Sequence, residues 1–266
     1  MTAQNPGLNP VASGALGAFS LHGKVALVTG ANTGLGQGIA IALAQAGADV
    51  VGVARSSTAD TERGVAAAGR KFHSLHSDLE RRNEAAHVVA QALKAAGRVD
   101  ILVNNAGLIR RDDALTFSDE DWDAAMNLNL KVPFFLAQAV ARSLVQAGRG
   151  GKIINIASML SFQGGIRTAS YTASKSGLAG ITRLLANEWA VRGINVNAIA
   201  PGYFETNNTA ALRTDEQRTR DILGRIPAGR WGKPSDLGGA AVFLASAASD
   251  YVHGTVIPVD GGWLAR

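Results

Sequence analysis

A tyrosine and a lysine four residues apart are the pair in this sequence best suited to moving a proton. Tyr171 and Lys175 stand in the segment SYTASKSG, and Ser158 lies upstream. In a helix, residues i and i+4 share one face, so the Lys175 ammonium would stand beside the Tyr171 phenol. Lowering a tyrosine pKa from about 10 to about 7 requires roughly 4 kcal/mol, and a unit charge about 4 Å away supplies that order at an effective dielectric near 20. The pair therefore predicts a general acid or base that works near neutral pH.

A second group of residues is suited to binding phosphate. The apolar run KVALVT stops at a glycine, and the segment TGANTGLG opens a helical pattern. Glycines at a strand-to-helix turn let a pyrophosphate approach the free N–H groups of the helix N-terminus. The spacing is G-x-x-x-G-x-G rather than G-x-G-x-x-G, but the strand–turn–helix context is the one that dinucleotide binding requires. The predicted contact residues are Gly30, Asn32, Thr33, Gly34, Leu35 and Gly36.

These residues need a scaffold that brings them together. Short apolar runs alternate with helical patterns along the chain, and this alternation is typical of parallel βαβ units with both sheet faces covered. It predicts an α/β, doubly wound Rossmann-type fold with about seven parallel strands, in one domain that spans residues 21–266. The predicted strands are KVALVT, DVVGVA, Phe72–His76, DILVNNAG, GKIINIAS, INVNAIAPG and GTVIPVDGG, and the predicted helices span about 35–46, 81–96, 119–147 and 171–191.

Two segments depart from the alternation. Residues 1–20 contain two prolines and three glycines, and they are predicted to form a loose lead-in rather than a signal peptide. Residues 203–230 are polar with helical spacing, and they follow the C-terminal end of a strand, where ligands bind in this class of fold. We predict that 203–230 form a lid over the substrate; the alternative is a static pair of surface helices.

The composition excludes several classes of protein. The 26 basic and 21 acidic residues give a net charge of +5, but the basic residues are scattered, so no nucleic-acid partner is expected. The chain has no cysteine, so it has no thiolate ligand or nucleophile; no metal site is expected, and a cytoplasmic location fits. No apolar run approaches 18 residues, and no membrane partner is therefore expected.

The chain resembles the short-chain dehydrogenase/reductase family from about residue 21 onward. The family's T-G-x-x-x-G-x-G motif corresponds to Thr29–Gly36, N-N-A-G to Asn104–Gly107, Y-x-x-x-K to Tyr171–Lys175, and P-G to Pro201–Gly202. All of these motifs occur in family order on the predicted elements. The resemblance implies an NAD(P)-dependent oxidoreductase, which in this family is usually a homotetramer or a dimer.

The resemblance also implies the roles of four catalytic residues. Tyr171 would be the acid/base, and Lys175 would lower its pKa and bind the cofactor ribose. Ser158 would hydrogen-bond the substrate oxygen. Asn129, in the segment MNLNLK, would support a water that links Lys175 to bulk solvent.

The end of the second predicted strand bears on the choice between NAD(H) and NADP(H). An acidic residue there would bind the ribose 2′-hydroxyl and repel a 2′-phosphate. Ala54 occupies that position, and Arg55 follows it. The family suggests NAD, whereas Arg55 leaves NADP open because it could pair with a phosphate; alternatively, Arg55 is a solvated turn residue. The other cofactor-binding residues that the resemblance implies are Asp78 (alternatively a helix N-cap), Leu79, Asn105, Ala106, Gly107, Tyr171, Lys175, Pro201, Gly202, Phe204 and Thr206.

The loops on the substrate side are polar. Arg110 and Arg111 follow the fourth strand, and Gln163 and Arg167 lie between Ser158 and Tyr171. These side chains suit a small anionic polyol better than a steroid or an acyl chain, since a carboxylate would pair with Arg110, Arg111 or Arg167. Alternatively, these arginines are solvated at the surface or contact another subunit.

Within the family, four segments resemble bacterial deoxy-sugar-acid dehydrogenases: NNAGLIRR, NIASMLSFQGGIR, INVNAIAPGYFETNNT and IPAGRWGKPSDL. We therefore predict hydride transfer between NAD(P) and a secondary alcohol or ketone of a deoxy-sugar acid. The alternatives are a gluconate dehydrogenase, another ketoreductase such as a 3-oxoacyl reductase, and a non-catalytic nicotinamide-binding protein. The predicted substrate contacts are Arg110, Ser158, Gln163, Arg167 and Tyr171.

Overall fold

A parallel sheet of seven strands forms the centre of the molecule in this computed structural model, which describes residues 14–81 and 84–266. The strand order is β3-β2-β1-β4-β5-β6-β7. The order reverses between β1 and β4, at the switch point where such sheets bind ligands. The predicted doubly wound α/β fold is confirmed. The strands are β1 (Val25–Thr29), β2 (Asp49–Ala54), β3 (Phe72–His76), β4 (Ile101–Asn104), β5 (Gly151–Ile156), β6 (Ile194–Pro201) and β7 (Val256–Val259).

Helices cover both faces of the sheet. In β1, Val25 and Leu27 pack into one core, whereas Ala26 and Val28 pack into the other. This division follows from the strand period of two, which sends successive side chains to opposite faces. The helices are α1 (Gly34–Gln45), α2 (Ala59–Ala67), α3 (Glu84–Ala96), α4 (Asp119–Met126), α5 (Val132–Gln146), α6 (Ala169–Trp189), α7 (Ala210–Thr214), α8 (Glu216–Arg225) and α9 (Gly238–Ala245).

Two of these helices were not predicted from the sequence. Helix α2 has only nine residues, and α9 is apolar on nearly every side because its sequence is GGAAVFLA. A short helix that is apolar all round shows no contrast between a buried and an exposed face, so periodicity cannot identify it. Both helices nevertheless lie against the sheet core that contains Ala26 and Val28.

The predicted long helix over 119–147 is interrupted. A π-helical turn spans Asn127–Lys131 and separates α4 from α5. Pro133 follows the turn and has no N–H to donate to the carbonyl four residues earlier, which favours a local departure from α-helical bonding. Single π turns inside helices are often found at functional sites.

The predicted loose lead-in over residues 1–20 stays a prediction. Residues 1–13 lie outside the described residues, but Ala15–Phe19 form a 3-10 turn. The Phe19 ring lies 6.3 Å from the ring of Phe243 on α9, and Leu21 is buried. Phe19 thus contacts the domain, although the 3-10 turn itself buries no residue.

Residues 203–230 contain α7 and α8, so the predicted helical spacing is found. Ile222 of α8 packs with Met159, Trp231 and Trp263 in a small core that is separate from the two sheet cores. This packing places α8 beside the C-terminal ends of the strands; movement of the segment as a lid stays a prediction. Among the described residues, none of the helices combines the length and the apolar character needed to cross a membrane.

Candidate active site

Two adjoining cavities lie at the C-terminal ends of the central strands. The first has a volume of about 280 Å³ and the second about 350 Å³. Both are lined by Ser158, Tyr171 and Gly202. Of the predicted cofactor residues, those that line the first cavity are Gly30, Asn32, Thr33, Gly34, Leu35, Asn105, Ala106, Gly107, Tyr171, Lys175, Pro201, Gly202, Phe204 and Thr206.

The glycine turn between β1 and α1 is shaped by close backbone packing. Gly30 has a φ of 65°, a left-handed conformation that favours glycine. Gly36 does not line the cavity; a Cβ there would overlap the Gly30 carbonyl oxygen and the Asn105 side chain. Thr33 precedes α1 without a side-chain cap bond, which leaves N–H groups of the first turn available to an anion. The turn therefore fits a dinucleotide pyrophosphate.

Asn105 joins the glycine turn to the end of β4. Its Nδ2 atom donates hydrogen bonds to the carbonyl oxygens of Thr29 at 2.9 Å and Gly30 at 3.2 Å. In return, the Thr29 hydroxyl accepts from the backbone N–H groups of Asn105 and Ala106, both at 3.0 Å. These bonds fix the two strand ends on either side of the switch point.

A third cavity of about 350 Å³ continues from Gly30 toward the end of β2, and Arg55, Asp78 and Leu79 line it. Arg55 Nη1 lies 2.9 Å from Glu80 Oε1 and 3.8 Å from Asp78 Oδ1. The guanidinium is exposed, and its carboxylate neighbours would compete with a 2′-phosphate. The sequence alone did not indicate Glu80, because the ion pair joins residues from different loops.

Asn129 lies in the π turn and is fully buried. Its Oδ1 atom accepts from Leu108 N at 2.9 Å, and its Nδ2 atom donates to Leu108 O at 2.8 Å and to Ser174 Oγ at 3.1 Å. Ser174 Oγ in turn donates to the Tyr171 carbonyl oxygen at 2.9 Å. The side chain thus connects the loop after β4 to the first turns of α6; its part in a proton-relay water stays a prediction.

Lys175 is almost completely withdrawn from water. It is 4% exposed, and its Nζ atom donates to the Ile156 carbonyl oxygen at 2.6 Å. Because burial penalises the charged ammonium, the pKa of Lys175 falls to about 8. The same Nζ atom lies 5.7 Å from the centre of the Tyr171 ring, as expected from the four-residue spacing.

The pKa of Tyr171 departs from the expected direction. Burial raises it above its ordinary value, whereas a hydrogen bond with Ser158 and the positive charge of Arg111 lower it by less. Desolvation of the phenolate outweighs these favourable interactions, so the lysine neighbour alone does not bring the Tyr171 pKa to neutrality. Ser158, which caps the following 3-10 turn by accepting from Leu160 N at 3.1 Å, is held in place beside the phenol.

The second cavity contains some of the predicted substrate residues but not all. Gln163 lines it together with Ser158 and Tyr171, and so does Arg111. Arg110 does not line it, and its Nε atom lies 3.1 Å from Asp121 Oδ1. Arg167 also lies outside the lining and has Asp112 Oδ1 at 3.7 Å.

The separation of these arginines has a local cause. Ile109 and Arg111 line the cavity on either side of Arg110, and Ile166 and Thr168 do so on either side of Arg167. Successive side chains of an extended chain point to opposite sides, which accounts for Arg110, whereas Arg167 has a left-handed backbone with a φ of 59°. Arg110 and Arg167 therefore lie outside the lining of the cavity in which the substrate is expected.

The sequence prediction missed several cavity residues outside those loops, among them two arginines and a tryptophan. Arg218 and Arg225 reach the second cavity from α8, and Trp263 lines it from the C-terminal segment. A signal was present, since positions 218 and 225 are two helical turns apart and share one face. Among the described residues, no group of three or more His, Asp or Glu side chains is arranged to hold a metal ion.

Comparison with known proteins identifies relatives of this chain. Residues 30–264 match a protein-family profile described as Enoyl-(Acyl carrier protein) reductase. The chain is 64% identical over 251 residues to 2-dehydro-3-deoxy-D-gluconate 5-dehydrogenase of Escherichia coli (strain K12), and the alignment covers 94% of this chain and 99% of that protein.

Two solved structures are similar over most of the chain. One, from Agrobacterium tumefaciens, is provisionally named 2-deoxy-d-gluconate 3-dehydrogenase and has bound NADP; it is 59% identical, with a TM-score of 0.87, over 94% of this chain and 99% of that one. The other is a gluconate 5-dehydrogenase from Burkholderia cenocepacia J2315 in complex with NADP and tartrate; it is 40% identical, with a TM-score of 0.89, over 94% of this chain and 98% of that one.

Proposed function

Because the chain belongs to the short-chain dehydrogenase/reductase family, we propose that it transfers a hydride between NAD(H) or NADP(H) and a secondary alcohol or ketone of a deoxy-sugar acid. The proposed activity is of the 2-dehydro-3-deoxy-D-gluconate 5-dehydrogenase type. The high identity to an enzyme of that name over nearly the whole of both chains supports this choice.

One structural observation carries the proposal. The first cavity and the second cavity meet at Ser158 and Tyr171. A nicotinamide ring in the first cavity and an anionic substrate in the second would therefore face each other across a phenol and a hydroxyl. This arrangement suits proton transfer to or from a substrate oxygen while a hydride moves to or from the attached carbon.

The residues of the first and third cavities fit a dinucleotide. The uncapped first turn of α1 would hold the pyrophosphate, and Lys175 would bind the nicotinamide ribose. Arg55 would bind a 2′-phosphate in place of its ion pair with Glu80. The bound cofactor supplies the hydride chemistry and, when oxidised, a positive charge on the nicotinamide ring.

The proton is handled by side chains of the chain itself. With its pKa raised, Tyr171 holds its proton at neutral pH and is ready to donate it to a ketone that is being reduced. In the direction of alcohol oxidation, Tyr171 must first lose that proton, which Arg111 and Lys175 favour through their positive charges. Ser158 would fix the substrate oxygen near the phenol. Asn129 would act as a positioning residue for the loop at Leu108.

We further propose a homotetramer in the cytoplasm. Exposed apolar side chains on the outer helices support self-association, since Trp122 on α4, Phe135 on α5 and Leu184 on α6 are each at least 40% exposed. The absence of cysteine is compatible with a reducing compartment. Light scattering of the purified protein coupled to size-exclusion chromatography would measure the oligomer mass; a monomer would contradict the proposal.

A substrate panel tests the activity. Purified protein would be assayed with 2-dehydro-3-deoxy-D-gluconate, 2-deoxy-D-gluconate, gluconate and a 3-oxoacyl thioester, each with NAD and NADP forms separately. Absorbance of the reduced cofactor reports turnover. We expect the highest kcat/KM with a deoxy-sugar acid. Preference for gluconate or for the acyl thioester would replace the proposed substrate, and no turnover of any compound would favour a non-catalytic nicotinamide-binding protein.

A further inference from the structure

The second cavity is lined by three guanidinium groups that have no carboxylate partner. Arg111, Arg218 and Arg225 line it, and within residues 14–81 and 84–266 none of the three lies within ion-pair distance of an acidic side chain. Arginines just outside the lining behave differently, since Arg110 pairs with Asp121 and Arg167 with Asp112. An arginine that faces a cavity without a counter-ion is available to an anionic ligand.

Arg225 differs from the other two in being held by an aromatic platform. Its guanidinium carbon lies 4.0 Å from the centre of the Trp263 ring. Stacking uses the face of the guanidinium and leaves its N–H groups free in the plane of the group, where a carboxylate is bound bidentately. Arg225 is therefore oriented before any ligand arrives, so less side-chain freedom is lost on binding.

The platform itself is fixed from several sides. Trp263 is 4% exposed, and the Tyr203 ring packs against it with its centre 4.8 Å away. The backbone N–H groups on either side, Gly262 N and Leu264 N, both donate to the carboxylate of Asp260 at 2.9 Å. The segment that follows the strands thus holds the indole in one position under α8.

A second contact joins the same segment to α8. Arg266 Nη2 donates to the Gly224 carbonyl oxygen at 2.6 Å, and Gly224 immediately precedes Arg225. The backbone that carries Arg225 and the ring that orients its side chain are therefore held by one short piece of chain.

The three guanidinium groups occupy different parts of the cavity. The charge of Arg111 acts on Tyr171 and lowers its pKa, so Arg111 belongs to the reacting end. In the described part of the chain, a cation–ring contact is found for Arg225 but not for Arg218. The carboxylate of a sugar acid is several bonds from the carbon that would exchange a hydride, which favours a recognition group away from Tyr171. One acidic side chain, Asp221, also lines the cavity, and its Oδ1 atom accepts from Gln217 at 2.8 Å.

We propose that Arg225 is the residue that binds the carboxylate of the substrate, and that Trp263 is the positioning residue that orients it. This inference rests on the proposed sugar-acid function. It replaces Arg110 and Arg167, which are engaged by Asp121 and Asp112, as the carboxylate contacts.

The test combines ligand binding with kinetics. Arg225→Gln removes the charge, Arg225→Lys keeps the charge without the planar donor pair, and Arg110→Gln is the matched control. Tartrate, a hydroxylated dicarboxylate, would be titrated calorimetrically into each protein saturated with NADP⁺. We expect Arg225→Gln to weaken tartrate binding by about ten- to hundredfold, since charged hydrogen bonds are lost. Arg225→Lys should fall between Arg225→Gln and the wild type, and Arg110→Gln should stay within about twofold of the wild type.

The kinetic arm compares a sugar acid with its methyl ester. For Arg225→Gln we expect KM for the acid to rise about ten- to hundredfold and KM for the ester to change little. Trp263→Leu should raise KM for the acid more than it lowers kcat, and Trp263→Phe should restore part of the loss because it retains a stacking face.

The possible outcomes distinguish the carboxylate site at Arg225 from the proposed sugar-acid function. Equal tartrate binding by the wild type and Arg225→Gln, or no binding by the wild type, would overturn the carboxylate site. Sugar-acid turnover with an unchanged KM in Arg225→Gln would also overturn it while leaving the proposed function intact. If no sugar acid is turned over but tartrate binding still depends on Arg225, the site stands and the proposed substrate is wrong.

Discussion

The ammonium of Lys175 lies 5.7 Å from the centre of the Tyr171 ring, and burial shifts both pKa values in the direction that favours the uncharged form of each group. The lysine pKa falls to about 8, and the tyrosine pKa rises. The pair is therefore held in a poorly solvated site where the charged form of each group is unfavourable. A positively charged nicotinamide ring there would favour the Tyr171 phenolate and further disfavour the Lys175 ammonium.

Removal of the Tyr171 hydroxyl should abolish proton transfer without disturbing cofactor binding. We expect Tyr171→Phe to lower kcat by at least about a hundredfold, since a positioned acid or base contributes about 10² to 10⁴. The dissociation constant of the cofactor, measured by calorimetry, should change by only a few-fold. Tyr251→Phe is the matched control, because Tyr251 is 99% exposed. Turnover near the wild-type level in Tyr171→Phe would contradict the proposed mechanism.

Lys175 should make the stability of the protein rise with pH. Its folded pKa of about 8 lies below its ordinary value of 10.5. Between these values the unfolded chain binds a proton that the folded chain has lost, so the free energy of unfolding increases by up to about 3 kcal/mol as pH rises. Lys175→Met should lack this increase. Urea denaturation of both proteins from pH 7 to pH 9.5 measures the difference, and parallel pH dependences would contradict the low lysine pKa.

Arg111 should set the pH dependence of alcohol oxidation. Its charge favours the Tyr171 phenolate, so its removal should raise the pKa of Tyr171. We expect Arg111→Gln to move the rise in kcat/KM to higher pH, with a smaller difference at high salt because the guanidinium is exposed and screened. Arg110→Gln, which breaks only the ion pair with Asp121, should leave the midpoint unchanged. Equal midpoints in all three proteins would show that Arg111 does not act on the phenol.

Arg55 and Glu80 should together determine the preference between NADP and NAD. We expect Arg55→Ala to weaken NADP⁺ binding by about tenfold and NAD⁺ binding by less than about twofold. Glu80→Gln should strengthen NADP⁺ binding by a few-fold, since it removes the carboxylate 2.9 Å from the Arg55 guanidinium. In the Arg55→Ala background, Glu80→Gln should have no effect. Calorimetric titration with both cofactors measures all four proteins; a strong NAD preference unaffected by Arg55→Ala would remove this role.

Gly36 should be required for the packing of α1 against the turn after β1. A Cβ at this position would overlap the Gly30 carbonyl oxygen and the Asn105 side chain. We expect Gly36→Ala to lower the free energy of unfolding by about 1–3 kcal/mol and to weaken cofactor binding. Gly180→Ala in α6 is the control, because nothing lies within 4 Å of a Cβ there, and it should be neutral or stabilising by up to about 1 kcal/mol. Equal stability of the two variants would contradict the close packing.

The sequence predicted the scaffold well because the scaffold depends on short-range patterns. Runs such as VALVT and INVNAIAP alternate with helical segments, and that alternation implies a parallel sheet covered on both faces. The glycines after β1 mark a turn that only a few backbones can adopt, and the spacing of Tyr171 and Lys175 places both on one helical face. The helices α2 and α9 escaped prediction because each is short, and α9 is in addition apolar on nearly every side.

The features that distinguish this active site depend on contacts between distant segments. Whether an arginine is free or paired depends on the acidic residues that the fold brings near it; Arg110 meets Asp121, whereas Arg225 meets the face of Trp263. The direction of the Tyr171 pKa likewise depends on how much water the surrounding elements exclude. The sequence by itself determined the sheet, the glycine turn and the shared face of Tyr171 and Lys175, because each follows from local backbone geometry. The tertiary structure alone decided which charges face the substrate and how they act, because burial and ion pairing are properties of the packed molecule.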